Sequence, residues 1–173
     1  MPMARTGTST CRIVGIDPGL NITGYGVVDF AGREMAIVEA GTIRTNSKAS
    51  LAERIEQIHR DLGELLAEFN PDGAAIEKLY AHYGHPRTAI LMAHARGVVM
   101  LACRQAGVGV MDLAATQVKK SVTGNGHASK LQIQRAIQST CRLKRLPEPP
   151  DVADALAIAL CAGKHMTGAG PAG

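Results

Sequence analysis

Apolar and polar positions change period along the chain, and each change marks an element. Arg12–Ile16 is a short apolar run closed by Asp17-Pro18-Gly19, a buried strand entering a turn. Gly24–Phe30 and Met35–Ile43 are two more β-prone runs, split by the Ala31-Gly32 turn. Three strands joined by short turns predict an antiparallel meander. The period then lengthens. Leu51, Ile55, Ile58, Leu62, Leu65, Leu66 and Phe69 recur at helical spacing, and Glu53, Glu56, Arg60, Asp61 and Glu64 occupy the polar face. Ser50 and Glu53 fit a capping box at the start, and Asn70-Pro71-Asp72 stops the helix. Gly73–Glu77 is a fourth strand, which after a helical crossover runs parallel to the first. Pro86 suits the first turn of a second helix, whose apolar positions are Ile90, Leu91, Val98, Leu101 and Ala102. Gly107–Asp112 is a fifth strand. The remainder reads as helical: Thr116–Val122, Ser129–Leu143 and Asp151–Ala162, with Ser129 and Gln132 a second cap pair.

The order βββαβαβ followed by helices predicts an α/β domain. Its core is a five-stranded mixed sheet, with the first three strands antiparallel, flanked by helices. A chain of 173 residues is one domain at the usual ~100–200 residues each. The expected organisation is a flexible lead-in over 1–11, a folded domain over 12–164 and a disordered Gly/Ala/Pro tail over 165–173. With 46% hydrophobic and 20% charged residues, disorder throughout is excluded. The longest apolar runs, Val98–Cys103 and Ala155–Ala162, fall well short of the ~20 residues that cross a bilayer. Met1–Cys11 lacks the apolar centre of a secretory signal. Cys11, Cys103, Cys141 and Cys161 contain no CxxC pair, which argues against a zinc ribbon or disulfide scaffold and for a reducing cytosol.

The candidate chemistry is acidic. Asp17 and Glu77 end the first and fourth strands. If those strands are parallel neighbours, both carboxylates emerge at one sheet edge, where open α/β sheets place ligands. Asp151 and Asp154, three apart, share a face at the start of an otherwise apolar last helix. Acids on a helix that must pack on a core are costly unless they face a cleft or an ion. Taken singly, each has a plainer role: turn former, helix cap or dipole partner. Four together in a cleft would repel strongly, and a divalent cation relieves that. Hard oxygen donors suit Mg²⁺ or Mn²⁺ rather than zinc. Two such ions ~3.5–4 Å apart can activate a water and stabilise a leaving oxygen in phosphodiester cleavage.

Charge supplies the second signal. The net charge is only +4, but its distribution is uneven. Between Ala114 and Leu146 stand Lys119, Lys120, Lys130, Arg135, Arg142, Lys144 and Arg145, with no Asp or Glu. A one-signed field of this kind suits a phosphate backbone, although many such faces are simply solvated. Lys119 and Lys130 are expected nearest the acids. Tyr80, three residues past Glu77, can stack on an unpaired base or pack on the domain. His82, Tyr83 and His85 add polar and aromatic reach to the same loop. A metal site from His82, His85 and His94 is poorly spaced.

"GIDPG", "TGYGVVD", "AIEKLY", "ARGVVMLA", "QVKKSVTGNG" and "DVADALAIAL", in that order from Arg12 to Cys161, resemble the RuvC-type Holliday-junction resolvases. The resemblance implies a ribonuclease-H-like fold and Mg²⁺-dependent, paired, symmetric nicking of four-way junction DNA. It implies two Mg²⁺ ions per site, with Mn²⁺ an alternative, and ends carrying 5′-phosphate and 3′-hydroxyl. The catalytic and metal-binding acids fall on Asp17, Glu77, Asp151 and Asp154. The loop aromatic falls on Tyr80, where Phe is commoner, and the family lysines on Lys119 or Lys120 and Lys130; Arg135 joins them as a DNA contact. The helix around Ala89–Arg104 resembles the family's dimer helix, with Ala93, Ala95, Gly97 and Ala102 permitting close packing. The resemblance further implies a homodimer, the RuvA–RuvB branch-migration complex as partner, no membrane, and a bacterial cytoplasm. "HYGHP" and His94 depart from the usual pattern. Three rivals stay open: a phosphate-cradling domain of the actin-like kinase type, a non-catalytic junction-binding module, and a ribonuclease-H-like nuclease of other substrate such as RNA.

Overall fold

The computed structural model describes residues 9–80 and 85–168 of the chain. The elements are β1 (Cys11–Asp17), β2 (Ile22–Ala31), β3 (Glu34–Arg44), α1 (Leu51–Phe69), β4 (Gly73–Glu77), α2 (Pro86–Gln105), β5 (Val110–Leu113), α3 (Ala115–Thr123), α4 (Lys130–Thr140) and α5 (Pro150–Met166). One sheet holds the five strands in the order β3-β2-β1-β4-β5. β2 is antiparallel to both β1 and β3, while β4 is parallel to β1 and β5 to β4. This is the mixed sheet that the patterning predicts. His82 and Tyr83 lie outside the described residues, as do 1–8 of the expected lead-in and 169–173 of the expected tail.

Local chemistry fixes the helix ends. Ser50 accepts from the Glu53 backbone N–H, and the Glu53 carboxylate accepts from the Ser50 N–H at 2.7 Å, closing the capping box. Ser129 and Gln132 close a second one at α4. Three boundaries differ from the patterning by three residues or more. β5 starts at Val110 rather than Gly107, because residues 107–109 complete the end of α2. Gly107 is left-handed at φ +74°, its N–H donates to Arg104 O, and the Val108 N–H donates to Cys103 O. That pair of bonds is the Schellman motif. α4 ends at Thr140 rather than Leu143 for the same reason, but with Arg142 (φ +53°) in the left-handed position usually held by glycine. α5 continues past Ala162 to Met166, so His165 and Met166, assigned to the tail by sequence, form its last turn.

Strand alternation sorts the side chains into two layers. Val14, Ile16, Val27 and Ile76 pack with Ile58, Leu62 and Leu66 of α1 and with Val99 and Cys103 of α2. Ile13, Val28 and Ala75 face the other way, onto α5, α4 and α3 through Leu156, Ile137 and Val118. α5 is buried along Val152, Ala153 and the whole stretch from Ala155 to Gly163, as a helix with apolar residues all round must be. It can lie so close because the sheet carries glycine at the points of closest approach. A Cβ on Gly15 would stand 2.1 Å from Ala155 O, and one on Gly24 would stand 2.2 Å from Asp151 O.

Candidate active site

The same alternation aims the acids. Ile13 and Gly15 of β1 face α5, so Asp17 does too; Ala75 of β4 faces α5, so Glu77 does too. The parallel register pairs Ile16 with Ile76, which sets Asp17 and Glu77 side by side at the ends of neighbouring strands. α5 begins over that edge. Gly24 is the β2 partner of Asp17, and the Asp151 backbone rests on it. Asp154, one turn on, faces the same opening.

A cleft of about 380 Å³ results, lined by Asp17, Glu77, Asp151, Asp154, Lys119 and Lys130, with Ile22 and Met92 among its walls. The four carboxylates, from three separated stretches of sequence, share one opening. A larger cavity of about 740 Å³ lies near the other end of α5, and no carboxylate lines it. It therefore lacks the donor chemistry found at the sheet edge.

The cleft is electrostatically strained. Burial, then repulsion from Asp154, Asp151 and Glu77, pushes the Asp17 carboxyl up to about 7. Burial followed by the Asp154 charge raises Glu77, with Lys119 and Lys130 opposing. Burial raises Asp154 as well, against the pull of Lys130, whose Nζ is 3.8 Å from its carboxylate. Four half-buried carboxylates with two lysines leave an excess of negative charge that a hard divalent cation would offset. The all-oxygen donor set fits such a cation. Among the described residues, no three His, Cys, Asp or Glu side chains already stand close enough to clasp one. The donors thus line an open cleft rather than a closed cage.

The remaining sequence candidates divide. Tyr80 is 57% exposed and lines an adjoining cavity of about 210 Å³ together with Asp17 and Glu77. Lys119 and Lys130 line the acidic cleft, whereas Lys120 and Arg135 are exposed and do not. Two contributors escaped the sequence reading. Thr23, fully buried, donates its hydroxyl to Gly19 O at 2.8 Å and pins the turn that follows Asp17. Its place in the alternation was readable, but its bond to that turn was not. Arg96 donates Nη1–H to the Glu77 carbonyl at 2.8 Å. Only its charge in the apolar middle of α2, between Arg87 and Arg104, signals it.

A five-stranded mixed sheet with carboxylates at the ends of two adjacent parallel strands, and a last helix bringing two more, defines a ribonuclease-H-like nuclease domain. Comparison with known proteins narrows this. A sequence model described as "Crossover junction endodeoxyribonuclease RuvC" matches residues 13–162. A protein of that name from Rhodopirellula baltica is 51% identical over 158 residues, covering 91% of this chain and 88% of that protein. The solved structure "T. thermophilus RuvC in complex with Holliday junction substrate" superposes with a TM-score of 0.84 at 31% identity, covering 92% of this chain and 96% of that one. The yeast mitochondrial resolvase Ydc2 shares the fold at TM-score 0.63 and 14% identity, covering 92% of this chain and 80% of its own. The chain belongs to the RuvC family of crossover junction endodeoxyribonucleases. Family membership carries dependence on a divalent metal with it.

Proposed function

We propose that the protein resolves four-way DNA junctions by hydrolysing one phosphodiester in each of two symmetry-related strands. The observation that carries this is the single cleft shared by Asp17, Glu77, Asp151 and Asp154, with Lys119 and Lys130 on its wall. Asp17, Glu77, Asp151 and Asp154 would hold two Mg²⁺ ions, with Mn²⁺ able to substitute. Such ions, when bound, supply a nucleophile from water at neutral pH and neutralise charge on the scissile phosphate. The chain's residues do the rest. Asp17, desolvated and central, anchors the donor set, with Glu77 and Asp154 flanking it and Asp151 completing it. Lys119 and Lys130 offset the repulsion between an acidic cleft and a polyanion, which would otherwise exclude the substrate. Tyr80 offers an exposed ring to an unstacked base beside the cleft. Lys120 and Arg135, outside the cleft, meet phosphates further along an arm. In-line attack breaks the bond from phosphorus to the 3′ oxygen, which leaves 3′-hydroxyl and 5′-phosphate ends fit for ligation.

The working form is a homodimer built on α2. Ile90, Ala93, His94, Gly97, Met100, Leu101 and Arg104 recur at helical spacing and are all exposed on one stripe. This is a largely apolar face on a helix whose other side is already packed. A two-fold axis there presents two equivalent clefts to strands of like polarity. The RuvA–RuvB branch-migration complex is the expected partner, and the bacterial cytoplasm the expected compartment. Among the described residues no helix is long and apolar enough to cross a membrane.

The test is Asp17→Asn on a synthetic four-way junction with Mg²⁺, set beside duplex, flap and RNA-duplex controls. Junction binding persists and nicking disappears. Undiminished cutting by the variant, or equal cutting of the controls by the native protein, refutes the assignment.

A further inference from the structure

Arg96 lies midway along α2, and its side chain is only 17% exposed. A guanidinium that far out of water is costly unless its donors find partners. Two do. Nη1–H donates to the Glu77 carbonyl at 2.8 Å, and Nη2–H pairs with the Asp112 carboxylate of β5. Both partners sit where the sheet runs out. Glu77 is the last residue of β4, and the Lys78 N–H makes one further bond to Leu113 O at 2.7 Å before the chain leaves toward Tyr80. Arg96 also lines the cavity that Tyr80 shares with Asp17 and Glu77.

The two contacts are unequal. Asp112 is 42% exposed, so its ion pair is of the weak, screened kind. The bond to Glu77 instead holds the peptide plane from which a cleft carboxylate projects. A displacement of about 1 Å in such a group can cost roughly 10²-fold in rate.

We propose that Arg96 is a positioning residue: it clamps the Glu77 carbonyl, sets the aim of the Glu77 carboxylate, and ties that aim to α2. This rests on the nuclease reading above, in which Glu77 is a metal-holding acid. It makes the helix expected to meet the second subunit also the helix that steadies one wall of the cleft. The clamp holds whatever occupies the cleft, since it engages backbone and leaves the carboxylate free.

The experiment compares the native protein with Arg96→Met, Arg96→Lys and Asp112→Asn. Arg96→Met keeps the stem that packs against the domain and removes every donor. At saturating junction its nicking falls about 10²-fold. The Mg²⁺ concentration for half-maximal nicking rises about tenfold or more, while junction affinity and dimer mass stay native. Independently of activity, the rise in melting temperature that a fixed Mg²⁺ concentration gives the free protein shrinks. Arg96→Lys retains one donor and falls between. Asp112→Asn keeps the Glu77 bond and stays within about threefold of native. An Arg96→Met protein with native rate and native Mg²⁺ midpoint overturns the proposal. So does an Asp112→Asn protein as impaired as Arg96→Met, which would make the ion pair the working contact. If Arg96→Met does not fold, an unshifted Mg²⁺ midpoint in Arg96→Lys overturns it instead. A native protein that leaves four-way junctions uncut fails the nuclease reading itself, and the Mg²⁺-induced melting shift still reports separately on Arg96.

Discussion

Asp17 stands at the end of β1 with three other carboxylates around it, and burial with their repulsion lifts its carboxyl to about 7 from an ordinary 3.8. In metal-free protein the folded chain therefore holds a proton that the unfolded chain has released. Below about pH 4 both states are protonated and nothing is lost; as pH rises toward 7 the folded state gives up its advantage, and above that the full repulsion remains. Asp17→Asn imitates the protonated acid at every pH. With a chelator present, its melting temperature matches the native protein near pH 4 and exceeds it increasingly up to about pH 7, at roughly 2–4 °C for each 1 kcal/mol relieved. Added Mg²⁺ closes the gap by stabilising only the native protein. A gap that is flat with pH, or that widens with Mg²⁺, contradicts this account of the cleft. Gly24 gives a steric test at the same scale. Its absent Cβ would meet Asp151 O at 2.2 Å, and backbone on both sides leaves no flexible neighbour to yield. Gly24→Ala costs about 1–3 kcal/mol by overpacking, and it slows nicking about 10²-fold by displacing α5, although no acid has changed. Thermal melts and a single-turnover nicking assay measure the two losses separately.

Elements were legible in the sequence where a local rule decides them. β4 falls where its apolar run lies, and both capping boxes fall where Ser50 and Ser129 precede Glu53 and Gln132. The acids were legible for a similar reason. Two close strand runs, which the sheet order sets side by side, and two open an apolar helix that has to pack on that sheet. What escaped depends on backbone conformations that composition does not signal, or on contacts between distant elements. The end of α4 was misplaced because Arg142 occupies a left-handed position that composition assigns to glycine. β5 was begun early because residues 107–109 are apolar or glycine, yet serve the end of α2. The Arg96–Glu77 bond spans 19 residues and no pattern encodes it. Local rules still forecast stability. Gly63 lies inside α1 and, apart from its own turn of helix, nothing stands within 4 Å of where its Cβ would be. Gly63→Ala stabilises the protein by roughly 0.5–1 kcal/mol through backbone entropy, seen as a higher denaturant midpoint with an unchanged slope and native nicking. A lowered midpoint would mean that α1 packs more tightly there than the structure has it.

For the molecule as a whole, a single cleft cuts one strand, and resolving a junction takes two cuts before the arms move. The proposed α2 interface supplies the second cleft. Leu101 is 50% exposed toward the C-terminal end of the stripe, so a lysine there is nearly neutral to the subunit's own fold. Against a two-fold mate the same lysine meets its counterpart's apolar face and must be desolvated without a partner. Leu101→Lys is therefore expected to sediment as a well-folded monomer, and the native protein at the same concentration as the proposed dimer. A supercoiled plasmid extruding a cruciform then separates binding from pairing. The first nick releases the superhelical strain that holds the cruciform open, so only a second nick made at once, by a mate already in place, yields linear DNA. Native dimer gives linear product, and Leu101→Lys gives nicked circles, fewer of them because junction affinity also falls. A Leu101→Lys protein that remains dimeric places the interface elsewhere on the surface. A monomer that still yields linear product in native proportion removes the need for a two-fold assembly, and with it the reason for the apolar stripe along α2.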